Sequence, residues 1–223
     1  MKIKAISFDL DNCLINKRFD DLIWFNEIPK LYAKKERISF CRAHEFVTSE
    51  YAKMKGKTEY WRDISYWLKR FGIKTPWEKV CAEAQKSIRL YPDVMPAIAS
   101  LGKKYKIAVI SHAERNFLDL KLKASGLFPL VDYSFSSRTE LLSYHKEKDA
   151  FIRACKKMRI RPSEIVHIGD NEEYDYIEPM KAGIKSFIID RSIEKSDKHR
   201  IKDLRELERK LNLLNESGFS KRK

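Results

Sequence analysis

The chain has 223 residues, of which 43% are hydrophobic and 12% aromatic, and its 46 Lys and Arg against 32 Asp and Glu give a formal net charge of +14. This length suits one domain with a sizeable insertion or two small ones, and the apolar share excludes a disordered chain. No apolar run reaches the roughly 18 residues that cross a membrane, and the opening MKIKAISFDLDN turns acidic too early for a signal peptide, so a cytoplasmic protein without a membrane partner is expected.

The first predicted element is a strand over residues 3–8, where Ile3, Ile6 and Phe8 with Ala5 make a run suited to burial on both faces. It ends in the acidic pair Asp9 and Asp11. From 16 to 90 the pattern is helical: Leu22, Ile23, Phe25, Ile28 and Leu31 recur at three- and four-residue steps, similar stripes run through 46–54, 61–71 and 77–88, and Gly56, Gly72 and Pro76 mark breaks. After the turn at Tyr91, Pro92, Asp93 and Pro96 the pattern alternates. Helices are expected over 94–101, 114–124, 149–158 and 176–182, and strands over 107–110, 131–135, 165–168 and 186–189. Such alternation folds as an α/β, Rossmann-like parallel sheet with helices on both faces. The core then comprises 1–15 and 91–223, and an all-helical domain, 16–90, is inserted after the first strand. An amphipathic helix is expected through Leu204, Leu207, Leu211 and Leu214, before a basic end, Ser220-Lys-Arg-Lys, that is expected to fray.

Cys13, Cys41, Cys81 and Cys155 form no CxxC pair and have no histidines at zinc-ligand spacing, so reduced, mostly buried thiols are expected. Abundant Lys, Arg, Glu and Ile with a single glutamine, Gln85, resemble thermophile cytosolic proteins. The positive charge fits either nucleic acid or another polyanion as partner or a lysine-heavy surface kept for solubility, and the second reading is favoured.

In an open parallel sheet, ligands bind beyond the carboxyl ends of the strands. The polar residues at those ends are Asp9 and Asp11 after the first strand, Ser111 after KIAVI, and Asp170 with Asp175 after IVHIG. Four carboxylates on one rim repel one another unless a cation sits among them, and oxygen-only ligands suit Mg²⁺. Residues two apart in extended chain point the same way, so Asp9 and Asp11 can face one bound group from the same side.

The segment SFDLDNCL resembles the DxD nucleophile loop of the haloacid dehalogenase-like hydrolases, and the other motifs follow in that family's order. Ser111 matches the second, a lysine just before a helix (Lys146 or Lys148) the third, and GDNEEYD, with Asp175 five residues after Asp170, the fourth. The insertion is similar in position and size to the family's helical cap, with hinges near 14–16 and 89–92. The resemblance implies a Mg²⁺-dependent phosphatase acting on a small phosphorylated metabolite. Asp9 would be the nucleophile that forms an aspartyl-phosphate, and Asp11 the general acid and then base. Ser111 and the lysine would donate to the phosphoryl oxygens. Mg²⁺ would be held by Asp9, the backbone carbonyl of Asp11 and Asp170, with Asp175 close by. Members that cleave carbon–halogen bonds lack the second aspartate, so Asp11 favours phosphoryl transfer. The chain departs from the pattern in two places. Asn12 and Cys13 stand where Gly-Thr is usual, and SYHKEKDAF lacks the prolines that usually follow the lysine. That leaves Lys146, the favoured choice, and Lys148 both open, with His145 where some relatives carry lysine. The rival readings are a phosphomutase sharing Asp9 and Asp11, and a non-catalytic protein that binds nucleic acid or another polyanion. A monomer and a homodimer are equally compatible.

Plainer roles compete at several positions. Ser111 could be a strand-end cap and Asp175 a helix N-terminal residue. His112 is expected in a solvated loop, His167 as a satisfied histidine in a strand, and Cys13 as packing. Asn171 and Glu172 could touch the waters of a metal or simply lie on the surface. Trp24, Tyr60, Trp61, Arg62 and Trp67 of the insertion are candidates for contacting a leaving group, and more simply form its core.

Overall fold

The computed structural model describes residues 2–54, 60 and 62–217, the last four of these by their backbone alone. Gly56, Trp61 and the basic end 220–223 lie outside the described residues. The chain divides into two compact units, one of residues 1–16 with 89–223 and one of residues 17–88. No helix among the described residues is long and apolar enough to cross a membrane.

The first unit is built on a parallel sheet. Among the described residues its strands are β1 (Ala5–Phe8), β2 (Lys106–Ser111), β3 (Tyr133–Ser136), β4 (Ile165–Gly169), β5 (Lys185–Ile189) and β6 (Arg200–Ile201). They lie in the order β3-β2-β1-β4-β5-β6. Every pairing is parallel. All four residues of β1 are buried, as a central strand covered on both faces requires. β6 was not expected: two residues in a charge-dense stretch carry no alternation to read, and it forms only by docking on Ile188 and Ile189. The third strand begins at Tyr133, two residues later than expected, because Asp132 turns its carboxylate back onto the backbone N–H of Ile107 at 2.9 Å.

The helices of this unit, numbered after the five of the other one, are α6 (Val94–Leu101), α7 (Arg115–Ala124), α8 (Lys148–Met158), α9 (Glu178–Lys181) and α10 (Leu207–Ser217). Helix α8 buries Ala150, Phe151, Ala154, Cys155 and Met158, spaced to form one stripe, against Ala5, Ala108, Ile110 and Phe135 of three neighbouring strands. The helix expected at 176–182 starts earlier, with a π-helical stretch over Glu172–Ile177. Asn171 caps it, its side chain accepting from the Tyr174 N–H at 3.0 Å.

The second unit is helical, and among its described residues the helices are α1 (Arg18–Leu22), α2 (Ile28–Glu36), α3 (Phe40–Met54), α4 (Ile64–Arg70) and α5 (Trp77–Ala84). The stripe from Leu22 to Leu31 is interrupted by a π-helical stretch at Ile23–Glu27. Helix α4 starts at Ile64 because the Asp63 side chain accepts from the Ser65 N–H at 2.8 Å. It ends before Gly72, whose φ of +63° suits glycine. Trp67 lies fully buried, its ring edge-on to Tyr51 at 4.7 Å and stacked on Phe71 at 5.4 Å.

Candidate active site

The strand order reverses between β1 and β4, which opens a crevice beyond their carboxyl ends. Asp9 enters it directly from β1, its backbone N–H donating to the Ile168 carbonyl at 2.8 Å. Asp170 follows the last residue of β4, and Asp175 reaches back from the π-helical turn. A Cβ on Gly169 would overlap the Asp175 carboxyl, so glycine at this position lets that carboxylate lie against the strand end.

One oxygen each of Asp9, Asp170 and Asp175 lie within 4.8 Å of one another. Lys146, 1% exposed, donates from Nζ to Asp9 and to Asp175, the latter at 2.5 Å. The other oxygen of Asp175 accepts the Asn171 N–H at 3.0 Å. His167, fully buried in β4, meets Asp175 through Nε2 at 3.0 Å and Ser7 Oγ through Nδ1 at 2.8 Å. Burial pushes the imidazole pKa down, and a carboxylate only accepts, so the neutral ring donates from Nε2 to Asp175 and accepts the Ser7 hydroxyl at Nδ1.

These partners separate the two carboxyls. Burial alone would raise Asp175, but Lys146 and His167 overcome it and hold Asp175 well below the usual carboxylate range. Burial, followed by the charges of Asp175, Asp170 and Asp11, carries Asp9 up to about 8 against the pull of Lys146. Lys146 is itself held above its ordinary value, since the two carboxylates outweigh the effect of burial on its ammonium.

Asp11 stands apart from the three-carboxylate group. Its Oδ1 accepts from Nζ of Lys121 at 2.7 Å, and Lys121 is 1% exposed on helix α7. Four carboxylates therefore face two ammonium groups, so with all four ionised the crevice would carry an excess of two negative charges, a repulsion that helps to raise Asp9. An oxygen-only donor set with that excess fits a divalent cation such as Mg²⁺, which would relieve the repulsion now raising Asp9.

Other expected residues have definite places. Ser111 ends β2, one strand over from Asp9, with Oγ accepting the Ala113 N–H at 3.0 Å. Lys148 is the exposed first residue of α8. His112 accepts the Lys146 backbone N–H at Nε2, 2.8 Å away, and sets its ring edge-on to Tyr174, so it anchors the loop that carries the lysine. Asn171 serves as helix cap and as a donor to Asp175, while exposed Glu172 pairs with Arg200 at 2.9 Å. Cys13 is buried with Sγ near the Ile168 carbonyl, and burial pushes its thiol pKa up. In the helical unit, Trp67 belongs to the core, Trp24 packs edge-on to Tyr51, Tyr60 stacks on Tyr66 while 41% exposed, and Arg62 is half-buried.

Sequence reasoning passed over Lys121. Its signal was present: Phe117, Leu118 and Leu122 make the buried stripe of α7, and Lys121 is a charge within that stripe. The link from His167 to Asp175 had no such signal, since alternation in a strand places a side chain on a face without naming what it meets.

A family model described as haloacid dehalogenase-like hydrolase matches residues 3–183. No curated protein matches the chain. Among solved structures it is similar to a HAD phosphatase from Thermococcus onnurineus, with a TM-score of 0.81 at 22% identity over 93% of this chain and 97% of that one. It is also similar to a 2-haloacid dehalogenase from Pseudomonas syringae pv. Tomato DC3000, with a TM-score of 0.68 at 15% identity over 95% and 99%. A third likeness is to the Bacillus subtilis protein YfnB, described as a HAD-hydrolase bound to magnesium, with a TM-score of 0.66 at 16% identity over 95% and 100%. At such identities the structural likeness is one of fold.

Proposed function

The chain belongs to the haloacid dehalogenase-like hydrolases, and from that premise we propose that it is a Mg²⁺-dependent phosphatase that hydrolyses a small phosphomonoester through an aspartyl-phosphate on Asp9. Asp11 carries this reading. A second carboxylate two residues beyond the nucleophile can carry a proton to a leaving alcohol and then take one from water, a service that halide departure does not need.

In the first half-reaction a carboxylate oxygen of Asp9 attacks phosphorus in line, and the ester oxygen leaves with the proton of Asp11. In the second, Asp11 takes a proton from the water that attacks the phosphorus of the aspartyl-phosphate, freeing inorganic phosphate and restoring the Asp9 carboxylate. Lys146 and Ser111 are assigned as donors to the phosphoryl oxygens. Asp9, Asp170 and the Asp11 backbone carbonyl, with Asp175 behind them, would hold Mg²⁺, which when bound lets an anionic nucleophile approach an anionic phosphate. Helices α1 to α5 are assigned as the cap.

The test is phosphate release from a generic aryl phosphate, with Mg²⁺ and with EDTA, beside Asp9→Asn. Release that needs both the metal and Asp9 is expected, with the variant at least about a thousandfold slower and still folded. Equal turnover by Asp9→Asn would remove the nucleophile assignment, and release of halide from 2-haloacids without phosphate release would replace the phosphatase reading.

A further inference from the structure

Asn12 follows the two motif aspartates in a left-handed backbone conformation, with φ of +59°. That conformation is unfavourable for most side chains, and asparagine tolerates it better than most. Its amide joins two parts of the first unit. Nδ2 donates to Asp170 Oδ2 at 2.7 Å, and Oδ1 accepts from the Tyr91 hydroxyl at 3.1 Å. The chemistry of the partners sets this orientation: a carboxylate can only accept, so the NH₂ group must face Asp170, and the phenol must then donate to the carbonyl oxygen.

Tyr91 belongs to the segment in which the chain returns to the first unit. Its N–H donates to the Leu14 carbonyl at 3.2 Å, and Asn16 donates to the Arg89 carbonyl at 3.0 Å, so the departing and returning segments are bonded side by side. Arg191, from the loop after β5, then locks this corner. Its guanidinium lies 3.8 Å from the centre of the Tyr91 ring, donates to the Cys13 carbonyl at 2.7 Å and pairs with buried Asp93 at 2.8 Å.

We propose that Asn12 and Tyr91 are positioning residues for Asp170, holding that carboxylate in its place beside Asp9 and Asp175, and so tying the order of the return segment at 89–93 to occupation of the metal site. The proposal rests on the reading of the three carboxylates as a Mg²⁺ site. Tyr91 acts only through Asn12. A ligand held by such an outer partner binds its metal about 10- to 100-fold more tightly than one left unheld.

Two variants isolate these bonds. Asn12→Gly removes the amide while keeping the left-handed backbone free of strain, and Tyr91→Phe removes one hydroxyl while keeping the ring under Arg191. Mg²⁺ affinity of the full chain is measured by calorimetry, with melting in EDTA as a check on folding. Asn12→Gly is expected to weaken Mg²⁺ binding about tenfold or more. Tyr91→Phe is expected to weaken it less, and the double variant no further than Asn12→Gly alone, since the hydroxyl has no separate route to Asp170. Melting in EDTA should stay close to wild type for both single variants. Mg²⁺ should also slow amide hydrogen exchange over 89–93 in the wild type and not in Tyr91→Phe. Wild-type Mg²⁺ affinity in both variants, or additive losses in the double variant, would overturn the proposal while leaving the phosphatase reading in place. Failure of the wild type to bind Mg²⁺ at all would overturn both.

Discussion

The rim of the sheet and the helical unit bury their polar and aromatic residues by different means. At the rim, Asp9, Lys146, His167 and Asp175 are all nine-tenths buried or more, and each is held by a charge or a hydrogen bond. Among the described residues of the helical unit the largest buried side chain is Trp67, held by the edges and faces of Tyr51, Tyr66 and Phe71. Apolar packing gains from every atom removed from water, whereas a buried ion pair roughly offsets its own desolvation. The buried charges of the rim thus bring little net gain in stability, whereas the packing of the helical unit contributes to it directly.

The sharpest break in that contrast comes from Lys146→Met. It leaves Asp9 and Asp175 facing each other without their shared cation, so a loss of about 3–5 kcal/mol is expected, together with phosphate release at background level. Added Mg²⁺ should recover part of the lost melting temperature. Trp67→Ala should lose a similar 3–5 kcal/mol through the cavity it opens, and Mg²⁺ should recover none of it. Recovery of both variants by Mg²⁺, or of neither, as read by thermal melts, would erase the distinction.

A smaller effect follows from pH. Asp9 keeps its proton in the folded, metal-free protein up to about 8, against 3.8 in the ordinary state. Across that window the folded state binds more protons than the unfolded one, so this group lowers stability as the pH rises. Asp175 works in the opposite sense: its contribution is intact above 3.8 and is lost only as stronger acid protonates it in the fold. Melting in EDTA is therefore expected to fall between pH 5 and about 8, and the slope should flatten with Mg²⁺ or in Asp9→Asn. An equal slope in all three conditions would detach Asp9 from the effect. The smallest change is expected from Lys148→Met, within about 0.5 kcal/mol and without loss of phosphate release, because that lysine is an exposed helix start.

Much of the fold was legible in the chain. The apolar run before Asp9, the alternation after Val94 and the helical stripes of 16–90 are local patterns, set by which neighbouring residues must share a face. Asp9, Asp11 and Asp170 at the rim could be gathered for the same reason, since they follow the ends of strands and parallel strands end on one side, with Asp175 close behind Asp170 in the chain. What escaped was every relation set by a side chain arriving from elsewhere. β6 exists because β5 offers it an edge, and the helix after Asp170 widens into a π turn as Asp175 meets Lys146 and His167.

Sequence by itself determined that this chain is an α/β hydrolase of the haloacid dehalogenase-like family with a helical insertion, because periodicity and motif order are properties of the chain read in line. Only the tertiary structure distinguished Lys146 from Lys148, set Lys121 on Asp11 and joined Tyr91 through Asn12 to Asp170. Two lysines two residues apart carry the same charge on the same stem. Which of them is buried against the carboxylates depends on how the loop before α8 folds over the ends of β1 and β4, and no pattern of neighbours along the chain encodes that convergence.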